Sequence, residues 1–433
     1  MYYLLEPVSL LLIINLFLPF IILARRILSA GGLQFDHIFL FTCGFYFYWI
    51  SPIIIATIDM FGVNDLLEFK NWLNYYFEVS QDKLSIYLIC TLILYMAFLT
   101  GDVISNKLHK TNIKIIFIKN NKFLYIFLII FTLLSLFHIY PLLDKLFTGY
   151  KIFPIYAATG PFTANLIALL SIALLYVVKL DHAKLSIYNF IRAIINPAFT
   201  IFFTMCILLT SLGTRSLLIA SILIYASLYS CYNKTLGIIS SFILFVSVLL
   251  MSQFILLFRI GAKYWHHDNY SIGTIVNFLI SDPLIISFSL WDYLIKYEIP
   301  YINYPFSLLS HLIGLIPSFI FPLKTEYFLD YTSLGYNFYV AQGTTSTFVS
   351  LLVNFGLIGA IVCLFCISYF MSWLRKQNTQ PYITMYVMTC GWLAISFFRI
   401  FETTMIKYIF QFSLLIPLII AIITIKLYKW LER

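Results

Sequence analysis

Five cations, Arg215, Arg259, Lys263, Lys324 and Arg399, stand at or near the ends of long apolar runs in this chain of 433 residues. A charge at the edge of a bilayer is costly when it faces lipid, so such residues line a polar cavity, pair with one another or snorkel to the interface. Arg399 and Glu402 also have the i, i+3 spacing of a local helical pair. Taken as a set, the five suit a clamp for a pyrophosphate, with arginine supplying a bidentate fork and lysine a point charge. Arg215 follows Ser211-Leu-Gly-Thr214 at a predicted helix start, where the dipole also favours an anion. His266, His267, His311, Glu326 and Asp330 are the proton-transfer groups of the same region. A histidine titrates near neutrality and can take a proton from an attacking hydroxyl, and His311 and Glu326 are the nominees for that role. In Ser310-His-Leu-Ile-Gly314 the same histidine also suits a hydrogen-bonded interior position. No metal is expected: the adjacent His266 and His267 point apart in an extended loop, and no other ligand has metal spacing. The aromatic rings of Tyr264, Trp265 and Tyr336 suit either sugar faces or interfacial packing.

The elements that must position these groups are membrane helices. Hydrophobic residues make up 62% of the chain and charged residues 10%, and the mean hydropathy is +0.94. So much apolar surface cannot be left in water, and the class is integral membrane protein. Runs of about 20 apolar residues fit helices crossing a core of about 30 Å, and the short alternating segments of a barrel are missing. Hydropathy predicts eleven spans, near 8–28, 37–58, 84–104, 123–143, 162–180, 197–213, 215–232, 237–258, 347–371, 382–398 and 408–427. The expected fold is all-α and polytopic, one membrane domain over 1–433.

The formal charge of +9 does not point to nucleic acid, because the basic residues lie mostly in short loops between spans. One alternating set of loops and termini, including Lys107 to Lys122, Arg375, Lys376 and the C-terminal tail, holds most of the lysine and arginine and few acids. That set is cytoplasmic by the positive-inside rule, so the N-terminus lies outside and the C-terminus inside. All seven cysteines fall inside predicted spans, and Cys363-x-x-Cys366 reads as apolar filler. The first apolar segment is followed by Arg25-Arg26, the reverse of a secretory signal, and is expected to stay as a helix.

The interval 259–346 is the one long stretch without an obvious span, and most of the nominated groups lie in it. Two apolar pieces inside it, Pro283 to Tyr297 and Pro305 to Pro322, are expected to be amphipathic or re-entrant helices at the outer surface. Interrupted apolar stretches at membrane depth line a cavity. Both pieces crossing together would preserve the same topology.

Three stretches carry a likeness to known proteins: Ser211-Leu-Gly-Thr-Arg215-Ser, Leu315-Ile-Pro317-Ser-Phe-Ile-Phe-Pro322-Leu-Lys324, and Gly343-Thr-Thr-Ser-Thr-Phe-Val-Ser-Leu-Leu-Val-Asn354-Phe-Gly356-Leu-Ile-Gly359. With them, the layout of many spans, a basic cytoplasmic side and one large periplasmic loop resembles the Wzy-type O-antigen polymerases, which join oligosaccharide repeat units in Gram-negative bacteria. The third stretch also looks like the segment in which O-antigen ligases carry a histidine. Thr345 occupies that position here, which argues for polymerase over ligase. The Arg-x10-Gly pattern of some family members is not matched.

The resemblance implies a GT-C-like helical glycosyltransferase of the bacterial inner membrane, acting at the periplasmic face on undecaprenyl-pyrophosphate-linked glycans within membrane lipid. It implies no cofactor, and it leaves open whether a separate regulator sets chain length. On that reading Arg215, Arg259, Lys263, Lys324 and Arg399 hold the pyrophosphate, His311 and Glu326 handle the proton, and Tyr264, Trp265 and Tyr336 meet sugar. The alternatives are the ligase and a flippase or other transporter of lipid-linked oligosaccharide. A flippase is expected to carry charges deep in several helices.

Overall fold

The computed structural model describes residues 7–50, 81–108, 122–146, 153–178, 187–212, 216–233, 235–237, 240, 286–316, 320–338, 345–377, 379–393, 397–398 and 406–431. These residues are nearly all helical and contain no strand, as expected for an all-α polytopic membrane protein. In chain order the helices are α1 (Pro7–Ala30), α2 (His37–Gly44, continuing as a π-turn Phe45–Ile50), α3 (Gln81–Leu108), α4 (Lys122–Ile139), α5 (Phe153–Val177), α6 (Ile187–Ile194), α7 (Pro197–Ser211) and α8 (Ser216–Asn233). Then follow α9 (286–296), α10 (Phe306–Leu312, tightening to 3-10 over Ile313–Leu315), a 3-10 turn Pro322–Tyr327, α11 (Thr347–Lys376), α12 (Gln380–Leu393) and α13 (π-helical Lys407–Leu415 running into Ile416–Leu431).

Six of these are long and apolar enough to cross a membrane: Val8–Ala30, Lys83–Leu108, Phe123–Lys145, Gly160–Val177, Thr347–Lys376 and Lys407–Leu427. A seventh crossing would join α6 and α7, which meet at a 76° bend. The bend has a local cause: Asn196 caps α7 by accepting from the Phe199 N–H at 2.9 Å, and Pro197 starts the new helix. The expected spans at 37–58, 215–232 and 382–398 correspond to shorter helices over their described parts, and nearly all of 237–258 lies outside the described residues.

Two apolar cores form. One gathers α4, α5, α7, α8, α12 and α13 around Phe162, Leu169, Phe202 and Trp392. The other joins α2, α3, α9 and the first half of α11, where Trp49 stacks on Phe348 and Tyr87 on Trp291. In lipid there is no hydrophobic drive to hold helices together, so close backbone approach has to do more of the work. Gly101 of α3 allows it: a side chain there would stand 2.3 Å from the Phe365 carbonyl of α11.

The long loop departs from expectation in one respect. Helix 286–296 is not amphipathic: Ile286, Phe288, Leu290, Trp291, Tyr293 and Leu294 are all buried, and all of them but Phe288 belong to the second core. Asp292, the charge that interrupts this apolar piece, pairs with Lys296 one turn on at 2.8 Å.

α11 is broken. Gly356 has φ 70° and ψ −177°, a region open essentially to glycine alone, so the helix divides into halves 347–355 and 357–376. The second half is about 30 Å long, enough to cross a hydrocarbon core unaided. The segment 300–303 fills the break: Leu357 N–H donates to the Pro300 carbonyl at 2.9 Å, Ile358 N–H to the Tyr301 carbonyl at 3.0 Å, and Asn303 N–H to the Phe355 carbonyl at 3.1 Å. A Cβ at 356 would lie 2.7 Å from Pro300 O and from Ile302 N. Gly356→Ala should therefore lower stability by at least about 2 kcal/mol from backbone strain and the clash together. Gly160→Ala, with nothing within 4 Å, should not. Thermal unfolding in detergent checks both, and equal melting of the two variants would refute the role given to Gly356.

Candidate functional site

The groups that the long loop brings together lie in a lobe formed by 300–316 and 320–338, packed on the first half of α11. Its anchor is Asn354, whose Oδ1 accepts from the Leu308 N–H at 2.8 Å while its Nδ2 donates to Ser350 O at 2.8 Å. Pro305 occupies the N-cap of α10 and has no side chain to do this, so α11 supplies the cap from across the interface. Asn303 adds a second tie, donating to Val353 O at 2.6 Å and to the Tyr336 hydroxyl at 3.2 Å.

His311 is fully buried on α10. Its Nδ1 stands 2.8 Å from Ser307 O, the carbonyl one turn back, and a carbonyl only accepts, so Nδ1 carries the proton. Nε2 is then the ring's proton acceptor. Phe328 stacks on the ring at 4.7 Å, and Ser310 Oγ accepts from the Leu329 N–H at 2.9 Å. Glu326 is exposed on the 3-10 turn two residues before that stacking phenylalanine. The two nominated bases thus share one lobe, one sealed and one open to the surroundings.

Lys324 is not a free cation. It is buried, and its ammonium donates to Gly314 O at 3.4 Å and, in a short contact, to Ile316 O, closing the end of α10. Burial lowers its pKa below the ordinary lysine value. Lys407, at the start of α13, is close enough to Lys324 for their charges to interact, and the 3-10 turn 313–315 packs against that part of α13. Among the described residues no carboxylate pairs with either ammonium. Asp330 is committed to a turn: its Oδ1 accepts from the Ser333 N–H at 2.8 Å, which holds the carboxyl below the usual range.

Tyr336 is half-buried, its hydroxyl occupied by Asn303 and its ring among Tyr293 and Tyr297. Thr345 is fully buried and stands 3.4 Å from the Tyr331 hydroxyl. Arg215, Arg259, Lys263, Tyr264, Trp265 and Arg399 lie outside the described residues, as do His266 and His267. No group of three metal-ligating side chains occurs among the described residues.

A second polar assembly, at the far end of α11, escaped the reading of the sequence. Asp36 caps α2 by accepting from the Phe39 N–H, and its other oxygen takes Arg26 at 2.5 Å and Arg375 at 3.0 Å. Arg26 also reaches Asp102 of α3 at 3.3 Å. Asp102 accepts from Ser372 and, at 2.9 Å, from Asn106. His37 is fully buried between Asp102, 3.4 Å from Nε2, and the Tyr386 hydroxyl, 3.2 Å from Nδ1. Serine, histidine and aspartate suggest a nucleophile relay, but both Ser372 and Asp102 address the same ring nitrogen, Nε2. A relay needs them on opposite nitrogens, so this is a structural network. The signal that could have found it is Asp102, an ionisable residue inside an apolar run.

No protein-family model matches the chain, and neither a curated protein nor a solved structure does.

Burial pushes the Asp36 carboxyl up, but Arg375 and Arg26 outweigh it and hold the group below the usual carboxylate range. A depressed folded pKa contributes stability that is present above the unfolded value of about 4 and lost as pH falls through the folded one. Asp36→Asn should lower the melting temperature near neutral pH and flatten the loss below about pH 4. Melting curves in detergent across that range decide it, and parallel acid limbs in wild type and variant would refute the assignment. Separately, Asn354→Ala should cost about 1–2 kcal/mol through loss of the cross-interface cap. Increased proteolysis within 306–330 at unchanged overall secondary structure would report the loosened lobe.

Proposed function

We propose that the chain is a polymerase of lipid-linked oligosaccharide repeat units, working at the outer face of a bacterial inner membrane. One observation carries the reading. The described parts of 315–324 and 343–359, the stretches that carry the resemblance, belong to one assembly: Gly356 and Asn354 hold the chain at 300–308, and Lys324 closes the end of α10 within it. A discontinuous helix with a loop built into its break is also how membrane proteins place polar groups beside lipid.

In the proposed reaction the acceptor hydroxyl at the non-reducing end of a new repeat unit attacks the anomeric carbon of the growing polymer. The new glycosidic C–O bond forms as the bond to undecaprenyl pyrophosphate breaks, and the pyrophosphate takes the electron pair. The hydroxyl proton passes to a base, for which His311 Nε2 and Glu326 are the nominees; His311 is sealed, so it serves only if the lobe moves. Stabilising the departing anion is the larger task and falls to Arg215, Arg259, Arg399 and Lys263. Lys324 moves from clamp to scaffold on the geometry, and Lys407 joins the clamp as the neighbouring cation with no acid beside it among the described residues.

A transporter of the same lipid-linked glycans is the second reading, favoured by the charges buried among α1, α2, α3 and α11. Their position counts against it. Arg26, Asp102 and Arg375 lie within two turns of their helix ends, not at the midplane where transport sites sit.

The test is a gel of lipopolysaccharide from a strain lacking the gene beside its complemented parent. Core bearing a single repeat unit is the expected result. Core alone with polymer left on its carrier would mean a ligase, and single units trapped on the cytoplasmic side a transporter. Arg259→Ala and Arg399→Ala should each give the single-unit pattern, whereas normal ladders in both would remove the clamp.

A further inference from the structure

Helix α10 is turned inside out. Its polar side chains Ser307 and His311 are fully buried, while Phe306, Leu309 and Leu312 are 54%, 53% and 40% exposed. The pattern continues through Ile316, Ile320 and Leu323, all exposed, with Lys324 folded inward beside them. A scattered exposed leucine is ordinary, but this many in one lobe form a patch that calls for a partner.

The polar bookkeeping of the lobe says which partner. In water its helix ends could be left to solvent. Instead each is satisfied from within: the Leu308 N–H by Asn354, the Gly314 and Ile316 carbonyls by Lys324, and the Leu329 N–H by Ser310. A lysine beside water extends its ammonium outward, because desolvating it is unfavourable. Pointing it inward onto carbonyls makes sense where the outside is hydrocarbon, since backbone groups there have no other partners.

The patch also continues into a lipid-facing surface. The 3-10 turn 313–315 packs on the start of α13, a candidate membrane span that exposes Phe410 and Leu415. Tyr301, Tyr304 and Tyr327, exposed within the same lobe, are of the residue type that settles at headgroup level.

We propose that the face formed by Phe306, Leu309, Leu312, Ile316, Ile320 and Leu323 is immersed in the acyl chains of the bilayer. The lobe is then a membrane-docking lip contributed by a segment between spans, and its buried polar side faces α11. The inference holds whatever reaction the protein performs.

The experiment uses the full chain in liposomes, with the exposed Cys43 and Cys366 replaced by Ala. An environment-sensitive fluorophore is attached at Leu309→Cys, at Ile320→Cys and, as the water-facing control, at Thr332→Cys in the exposed turn. All three positions are exposed, so the labels leave the buried polar face undisturbed. Lipid brominated on its acyl chains should quench the labels at 309 and 320 several-fold more than the label at 332, and aqueous iodide should show the reverse order. Strong iodide quenching at 309 and 320 would place the face in water and overturn the proposal. Quenching by neither agent would mean that protein covers it, from another chain or a second copy, and would overturn it equally.

Discussion

A helix interrupted inside a packed membrane protein must find partners for the backbone groups it releases, and the break at Gly356 depends on that requirement being met. Segment 300–303 meets it, giving up Pro300 and Tyr301 carbonyls to Leu357 and Ile358 and returning the Asn303 N–H to Phe355. The exchange fixes where the lobe leaves α9 and where α10 begins. From there the order of dependence is short. Asn354, two residues before the break, caps α10; the end of α10 is closed by Lys324; and the turn before Lys324 packs on α13. Replacing the glycine would disturb every later step, because a Cβ there would stand 2.7 Å from Pro300 O and from Ile302 N.

The opposite end of α11 is held by charge. Asp36 and Asp102 against Arg26 and Arg375 make a neutral set that joins α1, α2, α3 and α11, with His37 and Tyr386 tying in α12. Taking an arginine away leaves a buried carboxylate with one partner fewer, which is more damaging than replacing a pair together. The two ends of one helix are therefore secured by different physics: backbone hydrogen bonds around a glycine at one, ion pairs at the other. Between Gly356 and Arg375 lie about 28 Å of helix, close to a hydrocarbon thickness. That spacing separates the two polar assemblies by about the thickness that a membrane core requires.

Much of the helical layout was legible from apolar run length, because a membrane helix advertises itself by composition over about 20 residues. α1, α3, α4, α5 and α13 fall where hydropathy puts them. Other features need partners distant in sequence and are invisible to a local window. Helix 286–296 looked like a surface piece because of Asp292, and nothing nearby shows that Lys296 neutralises it and that α3 and α11 bury its other faces. Hydropathy ran straight through Gly356, since a glycine between apolar neighbours does not lower the average. Among the site nominees, Lys324 illustrates the same limit. Its charge near the end of an apolar run suggested an anion ligand, whereas its protons go to carbonyls eight and ten residues back. His311 could be read either way, and in the fold its ring is buried with Nδ1 on Ser307 O.

The two assemblies bear differently on the choice between enzyme and transporter. Alternating access requires each end of a bundle to open in turn, and opening the α1–α2–α3–α11 end would separate several buried ion pairs at once. Each such separation costs about 3–5 kcal/mol when a partner is left behind, less where the guanidinium keeps some solvent, as Arg26 and Arg375 do here. The other end is assembled from hydrogen bonds to a lobe whose outer face is apolar, and a lip of that kind can shift against lipid without uncovering charge. A molecule locked at one side and adjustable at the other suits chemistry at one face better than passage between two. The sealed His311 and the neighbouring Lys324 and Lys407 lie at that end, and under the proposed reaction it is there that a lipid-borne anion and an acceptor hydroxyl would meet.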